Sequence, residues 1–211
     1  MTTTAWVLLG AAALAAAVDW VAVGGDRKPL EYVAKPAATV AFLALALAIE
    51  PVHGDVRTWF VVALVASLAG DVFLMVPGDR FTFGLGSFLV AQVLFAVGFS
   101  LHAGTFAEHL VGVAVVVGIA APLCVRFVGA LRASARSVLV VPVVVYMVAI
   151  GAMTATAIAS ANGLAIAGAL LFMASDSLIA ETRFVRERPW GRVAIMVTYH
   201  AALAGLVLSL V

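Results

Sequence analysis

Two aspartates stand where an aspartate is costly. Asp71 lies in the run Ala-Gly-Asp71-Val-Phe-Leu and Asp176 in Ala-Ser-Asp176-Ser-Leu-Ile, each deep inside a long apolar stretch. Paired carboxyl groups in apolar surroundings can divide labour: one keeps its proton, while the other stays ionised beside a cation. That division suits acid-catalysed hydrolysis at an oxygen-bearing carbon. Lys35, Gln92, Tyr146, Ser175, Tyr199 and His200 occupy comparable apolar stretches, as does a third acid, Asp19. Other chemistries lack their signatures. There is no His-Glu-x-x-His zinc pair, no Gly-x-Ser-x-Gly elbow and no phosphate-binding glycine loop. His53, His102 and His109 fall at the helix ends away from His200, so no metal site is expected. Cys124, the single cysteine, excludes an internal disulfide.

The elements that must position these groups are membrane helices. Of 211 residues, 65% are hydrophobic and 11% charged, too few charges to clothe a soluble fold of this size. Read in lengths of about 20 residues, the sequence predicts an all-α bundle of eight transmembrane helices in one domain, 1–211. The spans are Thr4–Val23, Tyr32–Ile49, Thr58–Val76, Phe83–His102, His109–Val128, Ser137–Ile158, Leu164–Phe184 and Arg192–Val211. Between them stand turn signals such as Gly24-Gly25-Asp26, Pro77-Gly78-Asp79 and Asn162-Gly163. Met1-Thr2-Thr3-Thr4 carries no basic residue, so the first span is expected to be retained rather than cleaved as a signal peptide. Eleven of the twelve Lys and Arg residues fall on the side of the turns after spans 1, 3, 5 and 7; Arg57 alone falls opposite. Basic residues remain cytoplasmic, which predicts a multi-pass plasma-membrane protein with both termini outside. The net charge of +1 gives no sign of a nucleic-acid partner.

Helical rise places the ionisable groups in one layer. At about 1.5 Å per residue, Asp71 and Asp176 lie about 9–11 Å from the cytoplasmic helix ends, Tyr199 and His200 about 11–13 Å, and Gln92 and Tyr146 slightly deeper. The layer predicts a polar cavity open toward the cytoplasm. Small residues next to each aspartate, Gly70 and Ser175, permit close helix approach. Plainer readings stand beside the functional ones. Lys35 can snorkel to headgroups or pair with Glu31 one turn earlier. Asp19, within a turn of its helix end, is expected at the interface. His200 can be a packed core histidine, and Gln92 and Tyr146 can be interhelical glue. Neither Asp71 nor Asp176 can snorkel on so short a side chain, so intramembrane function is the better account of both.

The ordered motifs Lys35-Pro36, Gly70-Asp71-Val-Phe-Leu74-Met, Phe83-Gly84-Leu85-Gly-Ser-Phe88, Gly168-Ala-Leu-Leu-Phe172-Met-Ala-Ser175-Asp176-Ser-Leu178 and Tyr199 resemble the YhhN-like lysoplasmalogenase family over the whole chain. The chain departs from that pattern at Gln92 and Phe95, where the family often has histidine and tyrosine, and at His200, where a glutamine is expected. The resemblance implies hydrolysis of the vinyl-ether bond of a lysoplasmalogen to a fatty aldehyde and a glycerophospho-base, with no cofactor. Asp71 and Asp176 are the carboxyl groups expected to fill the acid and base roles in that reaction, in an order the sequence leaves open. Lys35 would bind phosphate or hold one aspartate ionised. Ser175 and Tyr199 would orient water or substrate, with His200, Gln92 and Tyr146 also on the substrate side. The partner would be a single-chain lysophospholipid from the inner leaflet of the surrounding membrane lipid. The rival reading is a proton-coupled transporter, favoured by a faint parallel four-plus-four echo between spans 3–4 and 7–8. The offset of the polar layer toward one leaflet counts against it.

Overall fold

The computed structural model describes every residue of the chain except Asp79, Ala103 and Ala135, so the Asp79 part of the second turn signal lies outside the described residues. Among the described residues the chain forms eight α-helices and no strand: α1 (Thr3–Gly24), α2 (Lys28–Ala48), α3 (Gly54–Met75), α4 (Phe81–Ser100), α5 (Phe106–Ala133), α6 (Val140–Ala159), α7 (Gly163–Ala180) and α8 (Gly191–Leu208). Each is long and apolar enough to cross a membrane, with a short 3-10 turn leading into α6 and a π turn, Glu181–Val185, extending α7. The expected all-α polytopic bundle is the observed architecture. Its boundaries shift where local chemistry dictates. α2 starts at Lys28, ahead of the expected Tyr32, because Pro29 sits in its first turn, where no amide partner is needed. α5 runs past Val128 to Ala133 because Leu131 is drawn into a small apolar cluster with Phe81, Val143 and Phe184.

Consecutive helices pair as hairpins, α1 with α2, α3 with α4, α5 with α6 and α7 with α8. Contacts of α4 with α6, α2 with α3, α6 with α7 and α8 with both α1 and α2 join the hairpins. α5 is the outlier. Only Gly112, Val116, Phe127 and Leu131 are buried on it, while Val111, Val113, Val115 and Val117 are bare. Water would penalise that surface; lipid is its natural solvent, and the backbone polar groups are already satisfied within the helix.

Without a hydrophobic drive between helices in lipid, close packing must hold the bundle. Glycine supplies it next to the site. A methyl group on Gly168 of α7 would come within 2.7 Å of the Leu206 amide nitrogen, and one on Gly205 within 2.9 Å of the Gly168 Cα. On α3, a methyl group on Gly70 would strike the Phe88 ring at 2.6 Å. Phe88 in turn meets Phe172 and Tyr199 edge-on, at 6.2 and 5.9 Å between ring centres. This aromatic wedge fixes α3, α4, α7 and α8 around the two aspartates.

The turns after α1, α3, α5 and α7 gather at one end. Arg192 reaches both Asp26 and Glu31 at 2.8 Å, and its guanidinium holds the exposed Asp26 carboxyl below its ordinary value of 3.8. Arg126 grips Glu181 through two bonds of 2.8 and 2.7 Å, so the π turn is tied to α5. Arg183 lies 4.1 Å above the Phe81 ring.

Candidate active site

The turns at this basic end roof a cavity of about 820 Å³, and Asp71 lies at its floor. α3 brings Asp71 against α2 and α8. Its Oδ2 accepts hydrogen bonds from Thr39 Oγ1 at 2.6 Å and Tyr199 OH at 2.8 Å, and its Oδ1 takes an ion pair from Lys35 Nζ at 3.3 Å. Thr39 and Asp71 are fully buried, and Lys35 and Tyr199 nearly so. A buried ion pair persists only when further hydrogen bonds offset desolvation, and the two hydroxyls do that. Lys35 and Thr39 are one turn apart on α2, so a single helix face presents both to Asp71. Glu31, the alternative partner for Lys35, instead pairs with Lys28 at 3.0 Å and Arg192 at 2.8 Å.

Asp176 is held differently. Its Oδ2 accepts a short hydrogen bond from Tyr146 OH on α6 and a longer one of 3.5 Å from Gln92 Nε2 on α4. Gln92 Nε2 also lies 3.4 Å from the Tyr146 oxygen, closing a three-membered cluster. Among the described residues no cation pairs with Asp176. The side chain is half-buried and borders two spaces at once: the polar cavity, and an apolar groove lined by Leu85, Leu123, Phe127, Val143, Met147 and Met173. The groove draws its walls from α3, α4, α5, α6 and α7, and it shares Leu74, Phe81, Phe88 and Ile179 with the cavity.

The residues singled out from sequence thus divide into two clusters. Lys35, Asp71 and Tyr199 form the first and all line the cavity; Gln92, Tyr146 and Asp176 form the second, of which Asp176 alone lines the cavity, Tyr146 borders the apolar groove and Gln92 lines neither. Ser175 lines the cavity but donates to the Ile195 carbonyl of α8 at 3.1 Å, so its hydroxyl proton is committed to helix packing. His200 is absent from the cavity lining. It turns toward α1, where its Nδ1 accepts from Trp20 Nε1 at 3.0 Å, which places the ring proton on Nε2. Asp19, expected near the interface, is fully buried among its helix neighbours, and neither carboxyl oxygen has a hydrogen-bond partner among the described residues. Depth along a helix says how far a residue lies from the end, whereas burial depends on which neighbour covers that face; α8 packs against α1. Thr39 was missed by sequence reading. Its signal was available, as a polar side chain one helical turn beyond Lys35 in an otherwise apolar run.

Arg136, Arg183, Arg192, Glu31 and Glu187 line the rim of the cavity. The whole arrangement is a polar chamber with a cationic mouth, two carboxyl groups in unlike settings and an apolar side groove. Such a chamber can seat an amphiphile with a charged head and one chain, and move protons at their junction.

The chain has relatives among known proteins. The YhhN family model matches residues 30–210. Two curated proteins described as lysoplasmalogenases, from Mycobacterium bovis and Mycobacterium tuberculosis, are each 34% identical over 212 aligned residues, covering 93% of this chain and 80% of the relative. No solved structure matches the chain.

Proposed function

From the premise that the chain belongs to the YhhN family, we propose that it is a lysoplasmalogenase working as one eight-helix domain in the plasma membrane. It is an ether-bond hydrolase that cleaves the vinyl-ether bond of a lysoplasmalogen. The observation that carries the mechanism is the contrast between the two carboxyl groups. Asp71, facing an ammonium group and two hydroxyl donors, is held as the anion. Asp176, with neutral donors and an apolar groove beside it, carries the proton.

Chain and headgroup then have separate places. The alkenyl chain lies in the groove between α4, α5, α6 and α7, which brings the start of the chain past Asp176. The phosphate sits at the rim by Arg136 and Arg183. Lys35 serves the anion of Asp71 in place of the phosphate. Since the basic end is cytoplasmic by the positive-inside rule, the lipid comes from the inner leaflet and both termini face outward.

The proton accounting closes. Asp176 protonates the β-carbon of the vinyl ether, giving an oxocarbenium ion that the Asp71 carboxylate stabilises. Water adds to the α-carbon and gives one proton to Asp71, leaving a neutral hemiacetal. In the collapse, the hemiacetal hydroxyl returns a proton to Asp176 while Asp71 protonates the departing glycerol oxygen. A fatty aldehyde and a glycerophospho-base leave, and both carboxyl groups are reset.

The test uses purified protein in a fold-preserving detergent, with lysoplasmalogen as substrate and aldehyde release as readout. A matched saturated alkyl-ether lysolipid serves as control, because it offers no carbon to protonate. Aldehyde from the vinyl ether alone is expected. Inactivity of folded protein toward it rejects the reading, and equal cleavage of the alkyl ether rejects protonation at carbon.

A further inference from the structure

At the end of the bundle opposite the cavity, two histidines far apart in sequence come together with an acid. His53 lies in the α2–α3 turn, Asp55 in the first turn of α3 and His102 just past the end of α4. His102 Nε2 lies 3.0 and 3.2 Å from the two Asp55 carboxylate oxygens. The His53 ring stacks on that of His102 at 3.8 Å between centres and 8° between planes. One donor atom from each residue falls within 4.8 Å of the others. His53 makes no hydrogen bond among the described residues, and all three side chains are exposed.

We propose that His53, Asp55 and His102 form a surface site for a divalent transition-metal ion, best suited to zinc. Two imidazoles and one carboxylate make a three-ligand set that leaves one position for water, and imidazole donors favour zinc, copper or nickel over magnesium or calcium. With metal–donor bonds of about 2.0–2.2 Å, a tetrahedral ion spaces neighbouring donors about 3.3–3.6 Å apart. An ion replacing the proton shared by His102 and Asp55 therefore opens their 3.0 Å contact only slightly. His53 moves further, by side-chain rotation that its exposed position allows.

The backbone under the site is fixed. Phe60 of α3 meets Phe95 and Phe99 of α4 edge-on, both at 5.0 Å, and a methyl group on Gly98 would lie 3.0 Å from the Phe60 ring. The two helix ends are thus held at a set spacing before any ion arrives. His109 is not part of the set, because its Nδ1 faces the Thr105 carbonyl at 3.0 Å. The bound ion would tie the start of α3 to the end of α4, remote from Asp71 and Asp176, and the site stands independently of the reaction.

Tag-free protein is titrated with zinc at about pH 7.5 in competition with a chromophoric zinc indicator. One saturable ion per chain is expected. His53→Ala, His102→Ala and Asp55→Asn should each weaken binding by more than the roughly 10-fold that loss of even an outer-shell partner costs. His109→Ala should bind as the parent does. The proposal is overturned if the parent takes up no zinc saturably, if His53→Ala and His102→Ala bind undiminished, or if His109→Ala abolishes binding.

Discussion

Asp71 and Asp176 share a residue type, a similar distance from their helix ends and a cavity, yet the protein treats them as opposites. Around Asp71 it assembles a lysine and two hydroxyls from α2 and α8, all buried. Around Asp176 it places a tyrosine and an amide from α6 and α4, with apolar side chains on the open flank. In the proposed mechanism, this difference is what lets one carboxyl group serve as base and the other as acid on a single cavity. Charge state is set by donors: a cation with hydroxyls favours a carboxylate, and neutral donors beside hydrocarbon favour a carboxylic acid.

The largest effect should come from erasing either member. Asp71→Asn and Asp176→Asn are each expected to lower kcat by about 10²–10⁴-fold, the usual worth of a general acid or base. Stability should separate them. Asp71→Asn leaves the Lys35 ammonium buried without its counter-ion, a loss of about 3–5 kcal/mol, whereas Asp176→Asn abandons no charge. Unfolding followed in detergent micelles measures both. Equal destabilisation would mean that the two sites are not electrostatically different. Adding Lys35→Met to Asp71→Asn should recover part of the lost stability, and simple additivity of the two changes would deny the ion pair.

The two tyrosines sharpen the same contrast more finely. A hydrogen bond to a charged acceptor is worth about 1.5–3 kcal/mol, and one between neutral groups about 0.5–1.5. Tyr199→Phe removes a donor from the Asp71 anion, so it should cost more stability than Tyr146→Phe, which removes one from the Asp176 acid. The reverse order would exchange the acid and base assignments. Thr39→Val should fall between them, because Tyr199 still donates to the same Asp71 oxygen.

Much of this was legible without coordinates. Helical rise and a run of apolar residues suffice to put Asp71 and Asp176 at a similar distance from their helix ends, and both line one cavity. What stayed hidden was rotation. Whether Lys35 faces Glu31 along its own helix or Asp71 across to α3 depends on how α2 turns against its neighbour, and that angle comes from packing of small side chains. The same blindness hid Thr39, turned His200 away from the cavity, and concealed the meeting of His53 with Asp55 and His102, the latter two 47 residues apart. Hydropathy reports depth; it is silent on azimuth.

Asp19 supplies the smallest effect and the sharpest control. It is as buried as Asp71, but no donor reaches either oxygen among the described residues. An unsatisfied buried polar group costs about 1–3 kcal/mol, so replacing it by an apolar side chain of similar volume should repay something. Asp19→Leu is expected to raise stability by about 1 kcal/mol while aldehyde release stays near that of the parent. Asp71→Leu at equal burial should do the opposite on both counts. If Asp19→Leu is instead destabilising and slows turnover, Lys35 is held by two acids rather than one, and the cation assigned to Asp71 is shared with α1.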